Sequence, residues 1–205
     1  MNSPEDQQLI ETCLAGDSSA FGALVLRYQD RLYGSILMMV SSPEDARDLT
    51  QEAFVHAFRR LDSFRGDSAF YTWLFRIAIN ATISFRRRMA RRKTTSIETA
   101  REVMGEEPRE VRSDAAPSSR IEIQEQQQLV RSALAELSEE FRQAIVLTEL
   151  EGLSYEDAAA MAGCPIGTIR SRIHRARNEL REKLRLLLRN DDDDESEARH
   201  TEGTI

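Results

Sequence analysis

The sequence has few of the residues that mark disulfide-bonded, membrane-spanning or β-rich proteins. It has two cysteines in 205 residues, Cys13 and Cys164, and they stand too far apart to imply a disulfide framework. Aromatic residues make up 6% and prolines number five, whereas leucine, alanine, glutamate and arginine recur, which favours helices. The most apolar run, residues 36–40, is too short to cross a membrane, and the first residues lack a signal-peptide pattern. We therefore expect a cytoplasmic, all-α protein with no membrane insertion.

The net charge of −7 conceals two clusters of basic residues. Six acidic residues between positions 191 and 197 supply most of this charge, so the rest of the chain is nearly neutral. Positive charge then collects in residues 86–93 and in the basic residues between positions 170 and 189. Two such clusters indicate two surfaces suited to a polyanion such as nucleic acid.

Hydrophobic periodicity predicts helices in two parts of the chain. Apolar residues recur at spacings of three and four through residues 18–88, with breaks at Pro43 and at a turn around Gly66. The pattern fails between residues 94 and 120, where polar residues, glycine and proline predict a flexible linker. It returns in residues 121–189. The predicted organisation is therefore two small helical domains, residues 1–93 and 121–189, followed by a disordered acidic tail, residues 190–205.

Residues 154–178 have the pattern of a helix-turn-helix. This motif needs a helix start, a small residue where its two helices cross, a turn residue that tolerates positive φ, and apolar residues beneath the second helix. Ser154 and Asp157 have the spacing of a capping box at the start of the first helix. The remaining positions are filled by Ala159, Gly163, Ile169 and Ile173.

The second helix of this motif enters the major groove of DNA, and its outward side chains read base edges. The residues predicted to read bases are Thr168, Arg170, Ser171, His174 and Arg175. Arg172 and Arg177 point elsewhere on the helix and are expected to contact phosphates. His174 has no second histidine or cysteine at metal-ligand spacing, so we expect no metal site.

The helix after Gly66 is aromatic at its start and basic at its end. Trp73 and Ile77 are expected in the core, but the aromatic residues spread around too much of the helix for all to face inward. Exposed aromatic side chains beside arginines are typical of proteins that stack single-stranded bases. The aromatic residues concerned are Phe64, Phe70, Tyr71, Trp73 and Phe75. Asn80, further along the helix, has an amide that can read a base edge.

Three segments resemble extracytoplasmic-function RNA polymerase sigma factors, in particular the sigma-E type. DSFRGDSAFYTWLFRIAIN at 62–80 resembles the promoter-melting segment, and DLTQEAF at 48–54 resembles the polymerase-binding helix. GLSYEDAAA and CPIGTIRSRIHRAR, within residues 152–177, are similar to the terminal helix-turn-helix. The resemblance covers roughly residues 8–93 and 121–189. It implies a transcription initiation factor that is not an enzyme, needs no cofactor, and consists of sigma domain 2, a helical bundle, and sigma domain 4, a helix-turn-helix.

The resemblance also implies partners and roles. The residues expected to dock on the clamp of the largest polymerase subunit are Asp45, Asp48, Leu49, Gln51, Glu52 and Val55. Those expected to hold a base flipped out of the −10 element are Phe64, Arg65, Gly66, Asp67, Ser68, Tyr71 and Asn80. Arg86, Arg87 and Arg88 would bind the adjoining duplex. The outward residues of the helix-turn-helix would read the −35 element. Other expected partners are the polymerase flap and an anti-sigma protein.

The residues alone leave three other classes of function open. A stand-alone helix-turn-helix regulator would bind duplex DNA as a dimer, but it needs no aromatic segment and usually has a dimerisation helix. A helical nucleic-acid enzyme would need a carboxylate–histidine constellation, a phosphate loop or metal-ligand spacing, and none is present in the sequence. A structural adaptor would not explain two basic clusters. The acidic tail departs from the family pattern, and we hypothesise that it competes with DNA for a basic surface.

Overall fold

The computed structural model describes residues 3–40, 42–95 and 117–201, and these residues form eight α-helices without a β-strand. The chain divides into two compact units, Met1–Arg109 and Glu110–Ile205. The expectation of an all-α protein with two small helical domains is confirmed.

The described part of the first unit contains four helices. In chain order its elements are α1 (Pro4–Leu14), α2 (Ser19–Val40), α3 (Pro43–Arg59), a 3-10 turn (Leu61–Ser63) and α4 (Phe70–Thr95). α2 is central, because it packs against α1, α3 and α4, while α3 also packs against α4. Leu24, Leu32 and Ile36, which lie on the predicted apolar stripe, are fully buried between these helices. The stripe therefore supplies the core of this unit.

Helix α1 is missing from the sequence-based prediction, which begins the first helix near residue 18. Its start nevertheless has a clear signature: the Ser3 hydroxyl accepts a hydrogen bond from the Asp6 N–H at 3.1 Å, and Pro4 occupies the first helical position. Glu5 and Asp6 place negative charge in the first turn, where the helix dipole favours it. An N-cap serine followed by proline and acidic residues is a recognised helix start. The signal was present in the sequence, although the short helix has little apolar periodicity.

The described part of the second unit also contains four helices. Its elements are α5 (Pro117–Ala135), α6 (Glu139–Ile145), a π-helical turn (Val146–Leu150), α7 (Tyr155–Ala162) and α8 (Ile166–Thr201). α8 packs against α5, α6 and α7. The buried Arg142 guanidinium donates hydrogen bonds to the carbonyls of Ala135 and Leu137 at 2.6 and 3.2 Å. These two bonds satisfy carbonyl groups at the end of α5 and fix the corner between α5 and α6.

Helix α8 extends beyond the predicted end of the domain. The sequence predicts a disordered tail from residue 190, whereas α8 continues to Thr201, and residues 202–205 lie outside the described residues. The backbone hydrogen bonds of a helix are made within the helix itself, so a helix can continue past its last tertiary contact. Most of the predicted linker, residues 96–116, also lies outside the described residues.

Candidate nucleic-acid interface

α7 and α8 form the predicted helix-turn-helix. The Ser154 hydroxyl accepts a hydrogen bond from the Asp157 N–H at 3.1 Å and donates one to the Asp157 carboxylate at 2.8 Å, which confirms capping by this pair. Gly163 ends α7 with φ of +64°, and the next N–H, from Cys164, donates to the Ala159 carbonyl at 3.1 Å. Because a side chain at Gly163 would strain this left-handed conformation, glycine determines how sharply the chain turns into α8.

The start of α8 has one buried face and one exposed face. Ile169, Ile173 and Ala176 are buried against the rest of the unit. Four of the residues predicted to read bases are exposed, and the fifth, Thr168, is half-buried at the helix start; the exposed ones are Arg170, Ser171, His174 and Arg175. The structure thus brings these side chains together on the outer surface of the helix. Because two of them are arginines, this surface can form bidentate hydrogen bonds with guanine.

Two further arginines of α8 have carboxylate partners within the unit. Arg172 forms an ion pair with Glu140 at 2.8 Å, and its side chain is only 18% exposed. Arg177 forms an ion pair with Glu149 at 2.5 Å, and this hydrogen bond raises the pKa of the guanidinium above its usual value. The sequence predicts phosphate contacts for both residues. In the structure their charges are instead partly neutralised, and they attach α8 to α6 and to the π-helical turn.

The residues between the 3-10 turn and α4 form an exposed turn above aromatic rings. We call residues 64–68 the base turn. Arg65, Gly66 and Asp67 are exposed, and Gly66 has φ of +79°, a conformation that favours glycine. The ring of half-buried Phe64 lies 5.3 Å from the ring of Trp73, measured between centroids. The base turn therefore presents backbone and polar groups beside a partly exposed aromatic pair.

The aromatic side chains of α4 are buried in a different pattern from the one expected. Trp73 and Ile77, expected in the core, are only half-buried, whereas Phe70, Tyr71 and Phe75 are buried. The physical reason is that α4 packs against both α2 and α3, so that a wide arc of its surface faces the core. The expectation that Tyr71 contacts a flipped base does not fit this structure, because Tyr71 is only 7% exposed.

Neighbouring side chains of α2 cover Tyr71. The ring of Tyr28 lies 5.5 Å from the Tyr71 ring, and the Arg31 guanidinium carbon lies 3.8 Å from its centroid. The arginine is close enough for a cation–π interaction. Tyr71 therefore supports the start of α4 from the inside.

The outer surface of α4 has a basic row that continues from the base turn. Arg76, Asn80, Ser84 and Arg88 are exposed and follow one another at intervals of four residues, so they lie along one face. Arg87 is exposed beside them, while Arg86 is half-buried. At 1.5 Å per residue, Asn80 lies about 10 Å along the helix from Trp73. The sequence-based prediction omitted Arg76 and Ser84, although their four-residue spacing from Asn80 was a usable signal.

α3 presents most of the residues expected to bind polymerase on one surface. Asp48, Gln51, Glu52 and Val55 are exposed at helical spacings of three and four, and Asp45 is half-buried. Phe58, which the sequence-based prediction omitted, is 44% exposed at the end of the same helix.

Leu49 requires a correction. It is 3% exposed and packs in the core of the first unit, so it cannot contact a partner in this structure. It lies between polar neighbours in the sequence, but the helical period turns it to the opposite side from Gln51 and towards the core.

The second unit also contains an apolar groove. Its volume is about 770 Å³, and apolar side chains from α5, α6, the π-helical turn and α8 line it: Val130, Leu134, Ile145, Leu150, Leu180 and Leu184. The ion pair between Glu149 and Arg177 lies at this groove. Leu150 is 47% exposed, so the groove offers accessible apolar surface.

Among the described residues, no three histidine, cysteine, aspartate or glutamate side chains are grouped so that they could hold a metal ion. None of the described helices combines the length and the apolar character needed to span a membrane.

Two family models match the two units. Sigma-70 region 2 matches residues 24–92, which include the base turn and the exposed surface of α3 that is expected to bind polymerase. Sigma-70 region 4 matches residues 127–180, which include the helix-turn-helix. Both candidate DNA surfaces therefore lie within recognised sigma regions.

Relatives and solved structures agree with these models. The chain is 43% identical to the RNA polymerase sigma-H factor of Pseudomonas aeruginosa over 186 residues, which are 90% of this chain and 96% of the relative. It is also 43% identical to the ECF RNA polymerase sigma-E factor of Escherichia coli over 185 residues, with the same coverage. The sigma factor RpoE of Bartonella quintana, solved in complex with the anti-sigma factor NepR, is 34% identical, with a TM-score of 0.61 over 80% of this chain and 96% of that chain. This chain belongs to the extracytoplasmic-function family of RNA polymerase sigma factors, which initiate transcription and are not enzymes.

Proposed function

We propose that this protein acts in the cytoplasm, where it reads the −35 element with the outer surface of α8 and opens the −10 element with the base turn. One observation carries this proposal: Arg170, Ser171, His174 and Arg175 are all exposed on one surface of α8, which Ile169 and Ile173 hold against the domain. A helix so anchored can enter the major groove and bring several side chains to base edges at once.

The base turn and the outer surface of α4 form the −10 site in this proposal. A base extruded from the duplex would be held beside Phe64, at a position that we call the −10 pocket, where the exposed backbone and the Asp67 side chain offer hydrogen-bonding groups. Extruding a base costs a few kcal/mol, which contacts in a pocket help to offset. Asn80 would contact a neighbouring base, and Arg87 and Arg88 would contact the phosphates of the adjoining duplex.

Polymerase would bind both units. The exposed surface of α3 formed by Asp48, Gln51, Glu52 and Val55 would dock on the clamp, and the apolar groove of the second unit would receive the flap. Each domain then needs only weak affinity for DNA, because attachment to one polymerase raises the effective concentration of the second domain. The free protein should therefore bind promoters poorly.

An anti-sigma protein is the expected regulator. The Bartonella relative was solved bound to one, and this chain exposes apolar surface in both units, at Val55 and Phe58 and in the groove beside Leu150. Exposed apolar patches of this kind mark protein-binding sites. We propose that an anti-sigma protein covers these surfaces and so prevents polymerase from binding.

The test is open-complex formation with core bacterial polymerase and a promoter library, followed by permanganate footprinting with and without this protein. We expect thymines near the start site to react only when both protein and core are present, and the selected sequences will define the promoter. A Glu52→Lys variant is a matched control, because it should lose melting while keeping its fold. Duplex binding without core, together with no melting when a core enzyme shown to bind the protein is present, would instead support a stand-alone regulator.

A further inference from the structure

A polar cluster centred on one buried carboxylate joins α1 to α2. Asp6 is 2% exposed, and its two carboxylate oxygens accept hydrogen bonds from Arg27 Nη1 at 2.6 Å and from the Tyr28 hydroxyl at 2.5 Å. Arg27 also donates to the Glu5 carboxylate at 2.7 Å. We call Asp6, Arg27 and Tyr28 the Asp6 cluster. A buried carboxylate with a donor on each oxygen connects these two helices.

This arrangement restricts the position of α1 more than apolar packing would. Ile10 already anchors α1 in the core, where it is 2% exposed. An apolar contact tolerates small shifts of one helix along another, whereas a buried carboxylate keeps all its partners at only one relative position. Taking a carboxylate out of water is also costly unless its donors are in place. The Asp6 cluster therefore fixes the Tyr28 side chain relative to both helices.

Tyr28 connects this cluster to the base turn. Its ring centroid lies 5.8 Å from Phe70 and 5.5 Å from Tyr71, the first two residues of α4. The Phe70 ring in turn lies 5.8 Å from that of Phe64, the first residue of the base turn. In addition, α1 packs directly against Leu61–Ser63, which immediately precedes Phe64. Contacts from α1 and Tyr28 thus reach the residues that flank the base turn on both sides.

We propose that the Asp6 cluster is a positioning element for the −10 pocket: it fixes the Tyr28 ring, which holds the start of α4 and thereby the base turn. This inference rests on the proposed role of the base turn in binding a flipped base. Asp6 and Tyr28 need not touch DNA, because they act through Phe70 and Tyr71. A tyrosine hydroxyl is a donor at neutral pH, and burial together with the bond to Asp6 raises the pKa of Tyr28 further, to about 12.

The test compares base-specific binding by holoenzymes that carry the wild-type chain, Tyr28→Phe or Asp6→Asn. The probes are the single-stranded −10 segment of the promoter selected in the footprinting experiment and copies with one abasic site at each position. For the wild type, the position where base removal weakens binding most marks the pocket. We expect both variants to reduce that preference about 2- to 30-fold, the range over which substitutions in packed networks change coupling. Discrimination at the −35 element, which belongs to the other unit, should stay unchanged.

Ile36→Val is the control for a general loss of stability. The Ile36 side chain is fully buried in the same unit, in the second half of α2. Removing one buried methylene should lower the melting temperature and keep the base preference. The inference is overturned if Tyr28→Phe keeps the wild-type preference, or if Ile36→Val loses as much of it. If Asp6→Asn does not fold, the base preference of Tyr28→Phe tests the inference alone, because this variant retains the ring and loses only the hydroxyl. A wild-type holoenzyme that melts no promoter refutes the proposed function itself, a result distinct from these.

Discussion

Arg172 and Arg175 lie three positions apart in α8, and replacing each with alanine should give opposite results. Arg175 is exposed on the outer surface of the helix, beside Arg170 and His174. Arg172 is mostly buried and paired with Glu140 at 2.8 Å. We expect Arg175→Ala to weaken promoter discrimination without changing stability, and Arg172→Ala to lower stability with little effect on discrimination.

The magnitudes follow from these two environments. Loss of a bidentate arginine–guanine contact costs about 1–3 kcal/mol, which is about a 5- to 150-fold loss of preference for the cognate −35 sequence. The Arg172–Glu140 pair is partly exposed through Glu140, so it contributes about 0.2–1 kcal/mol, to which the packing of the arginine stem adds a comparable amount. For a domain of this size, about 1 kcal/mol lowers the melting temperature by roughly 4–8 °C.

Two assays separate these effects. Competition between cognate and scrambled −35 sequences, with holoenzyme at fixed salt, measures discrimination, and thermal unfolding of the free protein measures stability. The double variant Arg172→Ala/Glu140→Ala tests the ion pair, because adding Glu140→Ala should cost less once Arg172 is gone.

Either of two results would refute this reasoning. Unchanged discrimination in Arg175→Ala would show that the outer surface of α8 does not read bases. Equal loss of discrimination in Arg172→Ala, with the melting temperature unchanged, would show that Arg172 leaves Glu140 to contact DNA.

Four further results are expected. Leu49→Ala should lower the free energy of unfolding by about 2–5 kcal/mol, because it opens a cavity in the core. Glu52→Ala should instead leave the melting temperature unchanged and weaken binding to core polymerase in a pull-down. Arg88→Ala should reduce the slope of log affinity against log salt by about 1, and an unchanged slope would exclude a phosphate contact. The pKa of Tyr28, raised to about 12, predicts a tyrosine titration step near that pH by ultraviolet absorbance, which Tyr28→Phe should remove. Its contribution to stability should be complete below about pH 10 and decline as the pH rises towards 12, since the folded pKa exceeds the unfolded one. If the acidic tail competes with DNA, a chain ending at Arg189 should bind DNA more tightly than the full chain at low salt, and equal binding would refute that hypothesis.

Local signals were sufficient to predict most of the architecture of both units, with α1 and the C-terminal end of α8 as the exceptions. The apolar stripe through Leu24, Leu32 and Ile36, the capping pair Ser154 and Asp157, and the positive φ at Gly163 all appear in the structure as expected. Each depends on helical period or backbone conformation, which neighbouring residues determine. The outward orientation of the residues that follow Ile169 in α8 was predictable for the same reason.

The errors about Tyr71 and Arg172 concern side chains whose environment depends on distant elements. Tyr71 is buried because Tyr28 and Arg31 of α2 cover it, and the spacing of aromatic residues within α4 does not reveal that cover. Arg172 pairs with Glu140, which lies 32 positions earlier, and this pairing requires α6 and α8 to be packed together. A pattern within one helix contains no information about its partners.

The sequence by itself determined most of the helices, the division into two helical domains, the position of the helix-turn-helix and the resemblance to sigma factors, because these depend on period, caps and short motifs. Only the tertiary structure decided which side chains remain available to a partner. It excluded Tyr71 and Leu49 by burial, paired Arg172 with a carboxylate, and connected Asp6 to the base turn through Tyr28. The physical reason is that exposure and ion pairing arise when helices distant in sequence pack together, so they are properties of the assembled fold.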